Sequence, residues 1–481
     1  LGPLDFADQR TYFYLCLAVL TVAAVAVGRL RRNGVGRTLL AVRDNEINAA
    51  AFTISPTRAK LSAFAVAGGL AAVAGGLLGG LNVTFGLELV PVDQSVRAVA
   101  ITVIGGLGSV AGSILGAAYV LGLPALFNNA FEATLLSSSA GMLIVLMYLP
   151  RGITGVLHDT RDQLLLYLER HWRVSGATTS APATAGSLHR RGVDGRGAAH
   201  GGVDGQASTH GGVGRETLRV AGIGVHFNGR QVLDGVGLGV GEEEVVGLIG
   251  GNGAGKTTLM NAISGTVPST GSVELLGRDV SRLAPHQRAR AGLGRAFQAG
   301  RLFDGLTVIE SVELALEAHE RSELVPSMLA LPPSRRAESG KTAEAGEIVS
   351  FLGLGTYADV AIAELSTGTR RIAELACLMG LSARVLLLDE PTAGIAQREV
   401  EAFGPLILAV RAELAASLLI IEHDIPLLLS ISDRVCCLAE GRIIAEGPPE
   451  QVRRDPRLIA AYLGPDERSI RRSGDLPATA P

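Results

Sequence analysis

Charge is scarce in this chain: 19% of its 481 residues are Asp, Glu, Lys or Arg, and they nearly cancel to a formal net charge of -3. That balance removes any bulk-charge argument for nucleic acid, and no nucleic-acid partner is expected. Cysteine is scarcer still. Cys16, Cys377, Cys436 and Cys437 lie in apolar surroundings with neither C-x-x-C nor Cys/His ligand spacing, which argues against a disulfide framework and a zinc site. They read as reduced, small core residues. His189, His200 and His210 also lack Cys or carboxylate partners at ligand spacing, so they are not read as a metal cluster.

The counterpart of scarce charge is a positive mean hydropathy, +0.33, and its source is the first third of the chain. Residues 11–28, 61–87 and 98–127 are charge-free runs long enough to span a bilayer, and 133–150 is a shorter fourth. Asp5, Asp8 and a single Arg10 precede the first run, which is not the pattern of a signal peptide. Buried core helices would require four such runs in one domain. Arg29, Arg31, Arg32, Arg37, Arg43, Arg58 and Lys60 crowd the loop between the first two spans, whereas the loop near Glu88 and Asp93 is acidic. The 29–60 loop is therefore expected in the cytoplasm. A C-terminal half on the same side requires an odd number of crossings between Arg97 and Pro150, so the 98–127 run is expected to break at Gly105-Gly106-Leu107-Gly108-Ser109. The break is either a re-entrant pair of half-helices or two short crossings. Interrupted spans of this kind are where transporters place their pathway. Close helix packing accounts equally well for Gly68-Gly69, Gly75-Gly76 and Gly79-Gly80.

Between the halves, residues 174–215 are rich in Ser, Thr, Ala and Gly and repeat a crude His-Gly-Gly-Val unit at His200 and His210. This reads as a flexible linker, roughly 35 Å across as a coil.

The second half carries the chemistry. Gly250-Gly251-Asn252-Gly253-Ala254-Gly255-Lys256-Thr257-Thr258 follows the apolar run 245–249 and fits G-x-x-x-x-G-K-[ST] in a strand–loop–helix setting. Glycine lets backbone N–H groups turn toward phosphates, Lys256 reaches the β/γ-phosphates, and Thr257 is placed to ligand Mg²⁺. ATP and Mg²⁺ are the expected cofactors. The run 383–389 is a buried strand ending in Asp389-Glu390, one acid for the Mg²⁺ shell and one to polarise water. Residues 417–421 form another buried strand, with His423 just beyond its end. Gln298 fits the polar residue linking the γ-phosphate to the transmembrane partner, and Phe227 is placed to stack on adenine or to fill a core.

Residues 217–464 resemble the ATPase subunit of the branched-chain amino acid ABC importers, through 294–310, Ile421-Glu422-His423-Asp424 and the ending Ile459-Ala460-Ala461-Tyr462-Leu463-Gly464. Residues 1–155 resemble the C-terminal part of that system's permease, through 36–46 and 103–112. The resemblance implies a multidomain fold: an α-helical transmembrane permease segment plus an α/β P-loop ATPase with a helical subdomain at about 299–365. An amphipathic exit and linker (156–216) and a disordered tail (465–481) complete the expected organisation. It implies Glu390, His423 and Gln298 as catalytic residues, Thr257, Asp389 and Gln298 at Mg²⁺, and Ser366 and Gly368 as signature residues closing over a partner's nucleotide. The expected partners are a second permease subunit, a second ATPase and an extracytoplasmic binding protein, at the inner membrane in a multi-pass arrangement with the ATPase cytoplasmic. Fewer spans than the family's permeases, and an opening at Leu1, imply truncation or an internal start.

Three departures bear on the family pattern. The signature reads Leu365-Ser366-Thr367-Gly368-Thr369 where the family has L-S-G-G-Q, the loop after Glu390 has Ala396 in place of Asp, and Gly251 replaces Pro. The first two imply a weaker site in the dimer. A soluble ATPase of DNA repair or translation would need a coiled coil or tandem ATPase domains, and neither is present. A non-catalytic scaffold fits the altered signature but not the intact Lys256, Asp389, Glu390 and His423. Uptake of branched-chain amino acids is the expected function, with urea or a short amide as the alternative cargo.

Overall fold

The computed structural model describes residues 8–81, 92–106, 108–122, 147–148, 152, 154–155, 160, 216–227, 229–296, 302–395 and 397–452. Gln298, Ala396, the linker, the tail and nearly all of the 133–150 run lie outside the described residues. The chain divides into two compact units, Leu1–Arg29 with Phe64–Ala181 and Leu30–Ala63 with Pro182–Pro481.

In the first unit, the helices α1 (Gln9–Arg32) and α4 (Pro56–Leu81) are long and apolar enough to cross a membrane. Their 24 and 26 residues rise about 36 and 39 Å, against a hydrocarbon core of about 30 Å. Phe13, Val22 and Phe64 stand exposed along them, as lipid-facing side chains would. The Tyr12 hydroxyl donates to the Leu77 carbonyl at 2.6 Å, beside Gly80, which lacks the Cβ that would collide with it. The break expected in the 98–127 run is present. Helix α5 (Val92–Gly105) ends there, and α6 (Val110–Ala117) begins after a turn in which Gly106 and Gly108 take φ of 109° and 91°. Ser109 caps α6 by accepting the Gly112 N–H at 3.0 Å. The two helices pack backbone to backbone. A Cβ on Gly105 would strike the Gly112 carbonyl, and one on Gly116 the Ile101 carbonyl. A 14-residue helix rises only about 21 Å, a length that suits a hairpin of half-helices better than two full crossings.

The second unit contains a six-stranded sheet and a four-stranded antiparallel sheet. Strands β1 (Glu216–Phe227), β2 (Arg230–Gly241), β4 (Thr270–Leu275) and β5 (Arg278–Asp279) form the smaller sheet in the order β2-β1-β4-β5. Strands β3 (Val245–Ile249), β6 (Leu293–Ala296), β7 (Val385–Asp389), β8 (Ser417–Ile421), β9 (Arg434–Ala439) and β10 (Arg442–Gly447) form the larger one in the order β10-β9-β3-β8-β7-β6. All its neighbours are parallel except β10 against β9. Alternation along a strand sorts side chains between two cores: Val246, Leu248, Leu419 and Cys436 pack toward the antiparallel sheet, and Val245, Ile249, Leu418 and Cys437 toward the helices. The adjacent cysteines therefore point to opposite faces, as reduced core residues.

Between β6 and β7 lie the helices of a subdomain, α8 (Val308–Leu316) and α9 (Pro332–Phe351), followed by α10 (Thr367–Leu381). A capping box at Thr307 and Glu310 starts α8. The loop between the two apolar spans folds into α2 (Gly34–Asp44) and α3 (Glu46–Ala51). Ala41, Val42, Ala49, Phe52 and Ile54 from it join the same buried cluster as Phe303, Leu306 and Val312. Phe52 meets Phe303 edge-on at a centroid distance of 5.8 Å. Asp44 accepts the Gly305 N–H at 2.9 Å, and Arg290 donates to the Thr53 carbonyl at 2.7 Å.

Candidate functional site

Because β8 lies between β3 and β7, the carboxyl ends of three parallel strands bring the P-loop, Asp389-Glu390 and His423 to one crevice, the usual ligand position in an open α/β sheet. The loop after β3 leads into α7 (Lys256–Ser264). Gly253 and Gly255 take φ of 80° and 106°, which L side chains rarely adopt, and a Cβ on Gly255 would lie 2.7 Å from Leu233 Cδ2. Ala254 is buried, Gly250 is tight against the Leu438 carbonyl, and Asn252 is exposed at the loop's rim. Thr257 and Thr258 stand in the first turn of α7. Lys256, 8% exposed, donates to the Gly250 and Gly251 carbonyls at 2.7 and 3.2 Å. Burial pushes its pKa down, against the attraction of Glu390 and Asp389.

The acids face this lysine. Thr257 Oγ1 stands 3.5 Å from Asp389 Oδ1, while Asp389 Oδ2 is buried without a hydrogen-bond partner among the described residues. Burial raises the Asp389 pKa, opposed by the nearby Arg295 and reinforced by Glu390. A desolvated carboxylate oxygen beside a hydroxyl is a donor set that fits a hard cation. Glu390 Oε1 and His423 Nε2 are 2.8 Å apart. The Glu390 backbone sits at φ 51°, and its N–H donates to the Ile421 carbonyl at 2.9 Å.

Ser366 caps α10, accepting the Thr369 N–H at 3.2 Å and lying 2.9 Å from the Thr369 hydroxyl. Gly368 follows in the first turn. This part of the signature opens on solvent, as Ser366 and Thr367 are both exposed. Phe227, at the tip of β1, is 46% exposed, so it is not a core residue and its ring is free to stack.

Three charged residues that the sequence reading did not assign hold this frame. Glu422, 3% exposed, accepts both the N–H and the hydroxyl of Thr392 at 2.8 and 2.7 Å. Arg371, on α10, pairs with Glu374 at 3.1 Å and donates to the Glu390 carbonyl at 3.2 Å. Arg295 braces α7 through Asn261 and Ser264, and its pKa is lowered to about 10 by burial, opposed by Asp389.

The strand order, P-loop and paired acids together define an ATP-binding cassette. The ABC transporter family matches residues 233–393, and the branched-chain amino acid ATP-binding cassette transporters match 442–464. The permease component of the branched-chain amino acid transport system matches 3–149. The cassette is 37% identical over 248 residues to the high-affinity branched-chain amino acid transport ATP-binding proteins BraF of Pseudomonas aeruginosa and LivG of Escherichia coli, covering 51% of this chain and 97% of each relative. The lipopolysaccharide export system ATP-binding protein LptB of Haemophilus influenzae is 33% identical over 239 residues, covering 50% of this chain and 93% of LptB. A crystal structure of the ADP conformation of an ABC-transporter cassette aligns with a TM-score of 0.45 at 29% identity, over 52% of this chain and 99% of the other. The chain belongs to the branched-chain amino acid ABC transporter family and carries permease and ATPase in one polypeptide.

Proposed function

We propose that the chain is the fused permease–ATPase subunit of an importer for leucine, isoleucine and valine, with the 29–60 loop as the coupling element and Asp44 to Ile54 as its docking stretch. The observation that carries this is the burial of Ala41, Val42, Phe52 and Ile54, from the permease-matched region, in the core of the ATPase. Anything that moves the helical subdomain moves this segment with it, so closure of the cassette on nucleotide is passed to the two long apolar helices that flank it.

In hydrolysis, the loop N–H groups and Lys256 neutralise the β/γ-phosphates, with Lys256 exchanging its carbonyl partners for phosphate oxygens. Glu390 orients the attacking water and takes its proton. The new bond forms at the γ-phosphorus, the bond to the bridging oxygen breaks, and ADP leaves. His423 holds the Glu390 carboxylate, and Gln298 joins it in sensing the γ-phosphate. Thr257 and Asp389, with Gln298, would hold Mg²⁺, which would add positive charge against the triphosphate. Phe227 stacks on adenine. Ser366 and Gly368 serve the nucleotide of a second cassette, since one ATPase domain cannot complete two sites. A second permease subunit and an extracytoplasmic binding protein complete the pathway, with the ATPase in the cytoplasm.

Uptake of radiolabelled leucine, urea and glutamate by cells with and without the operon tests the reading. Loss of leucine uptake alone is expected. Loss of urea uptake with leucine unchanged would overturn the cargo while leaving the ATPase chemistry intact.

A further inference from the structure

Helices α2 and α3 reach the ATPase through a charge cluster that neither the hydrolysis site nor the apolar packing requires. Arg37 is 4% exposed, and its guanidinium lies 2.9 Å from Glu313, 2.7 Å from Glu338 and 3.6 Å from Glu317. Lys341 pairs with Glu317 and, at 2.6 Å, with Glu338. The Ser322 hydroxyl lies 2.9 Å from a Glu317 carboxylate oxygen and 2.8 Å from one of Glu338, within donating reach of either. Glu313 and Glu317 lie on or just beyond α8, and Glu338 and Lys341 lie on α9, so the ATPase side of the cluster supplies three carboxylates and one ammonium, which pairs with two of them.

A buried ion without its partner is costly, so a docking segment that presents an apolar or acidic residue here leaves charge uncompensated, whereas a guanidinium supplies the missing cation. Shape adds to charge. A Cβ on Gly34 would strike the Glu317 carboxylate, and Asn33 donates to the Ser327 carbonyl at 3.1 Å. A flexible tether raises local concentration to about the millimolar range but sets no orientation.

We propose that this cluster is a charge-coded recognition site, with Arg37 the residue by which the 29–60 loop selects this ATPase domain as its docking partner. The proposal rests on the coupling role given to that segment above.

The test uses the full chain in membranes with its partner subunits, carrying Arg43→Cys and Asp304→Cys as an exposed cross-linking pair for a short bismaleimide. Arg37→Glu is expected to lower the cross-link yield about ten-fold or more. Adding Glu338→Arg keeps three acids and two bases in the cluster and is expected to restore the yield to within about two-fold. Binding of a fluorescent ATP analogue, measured in parallel, reports whether each cassette is folded. Parental yield in Arg37→Glu, or no recovery in the exchanged pair with nucleotide binding intact, overturns the proposal. No cross-link in the Arg43→Cys, Asp304→Cys parent would overturn docking itself, and with it the coupling reading.

Discussion

Replacing Glu390 with glutamine separates binding from chemistry. The carboxylate is 13% exposed and 2.8 Å from His423 Nε2, while the residue's backbone is pinned by the Ile421 carbonyl, the Ala393 N–H at 3.1 Å and Arg371 at 3.2 Å. Glutamine is isosteric, keeps every backbone bond and can still meet His423 through its amide. What it lacks is the ability to take a proton. Loss of a general base costs about 10²–10⁴ in rate, or ~2.7–5.4 kcal/mol of barrier at 1.36 kcal/mol per decade. The P-loop contacts are untouched, so nucleotide affinity should stay within about two-fold while hydrolysis falls. Phosphate release and retention of labelled ATP, measured on the reconstituted complex, read both quantities. Hydrolysis at the parental rate would refute the assignment of Glu390. Lost ATP binding would refute the claim that it acts in the chemical step alone.

Lys256→Ala removes the ammonium proposed to meet the phosphates and should weaken ATP binding itself, about ten-fold or more by equilibrium titration; unchanged affinity would place the phosphates elsewhere. Asp389→Asn should raise the melting temperature of the nucleotide-free protein while abolishing its Mg²⁺-dependent stabilisation by ATP. The sign follows from the raised Asp389 pKa: the folded state binds the proton more tightly, so stability falls as pH rises from the unfolded value of 3.8 through the folded one, and the neutral amide escapes that loss. Arg371→Met leaves Glu374 without its 3.1 Å partner in a site where both are nearly inaccessible, at a cost of about 3 kcal/mol, read by denaturant unfolding. Gly112→Val drives a side chain into the Gly105 carbonyl and should abolish uptake with ATP binding retained; normal uptake would rule out the close α5–α6 hairpin. The Glu338 carboxyl is raised by desolvation but held below 4.5 on balance by Arg37, Lys341 and Ser322. Its share of the docking stability should be complete above pH 4.5 and be lost as pH falls through the depressed value, which denaturant unfolding against pH, compared with Glu338→Gln, would follow.

The parts of the candidate site were legible because they are local: a glycine loop after one apolar run, two acids ending a second and a histidine after a third. Each motif sits where a strand ends, and a parallel sheet places all its strand ends on one edge. The order β10-β9-β3-β8-β7-β6, which makes those ends neighbours, depends on pairings across nearly two hundred residues and leaves no local mark. The glycine break before Ser109 was legible for the opposite reason, since no other residue type tolerates that backbone. The basic loop shows where sequence logic stops. Charge counting treats Arg37 and Arg43 alike, as cytoplasmic markers, yet the Arg37 side chain is 4% exposed and that of Arg43 is 60%. The difference lies in Glu313, Glu317 and Glu338, some three hundred positions away, because burial is a property of what packs on a residue and not of its neighbours in sequence. Arg371 and Glu422 were missed on the same ground: each lies within a few residues of a recognised motif, but it holds the Glu390 carbonyl or the Thr392 N–H and hydroxyl, which only the folded domain brings within 3.2 Å. Motif residues proposed to meet the nucleotide must have a fixed chemistry and so can be read from type and spacing, whereas residues that hold those motifs in place need only reach them.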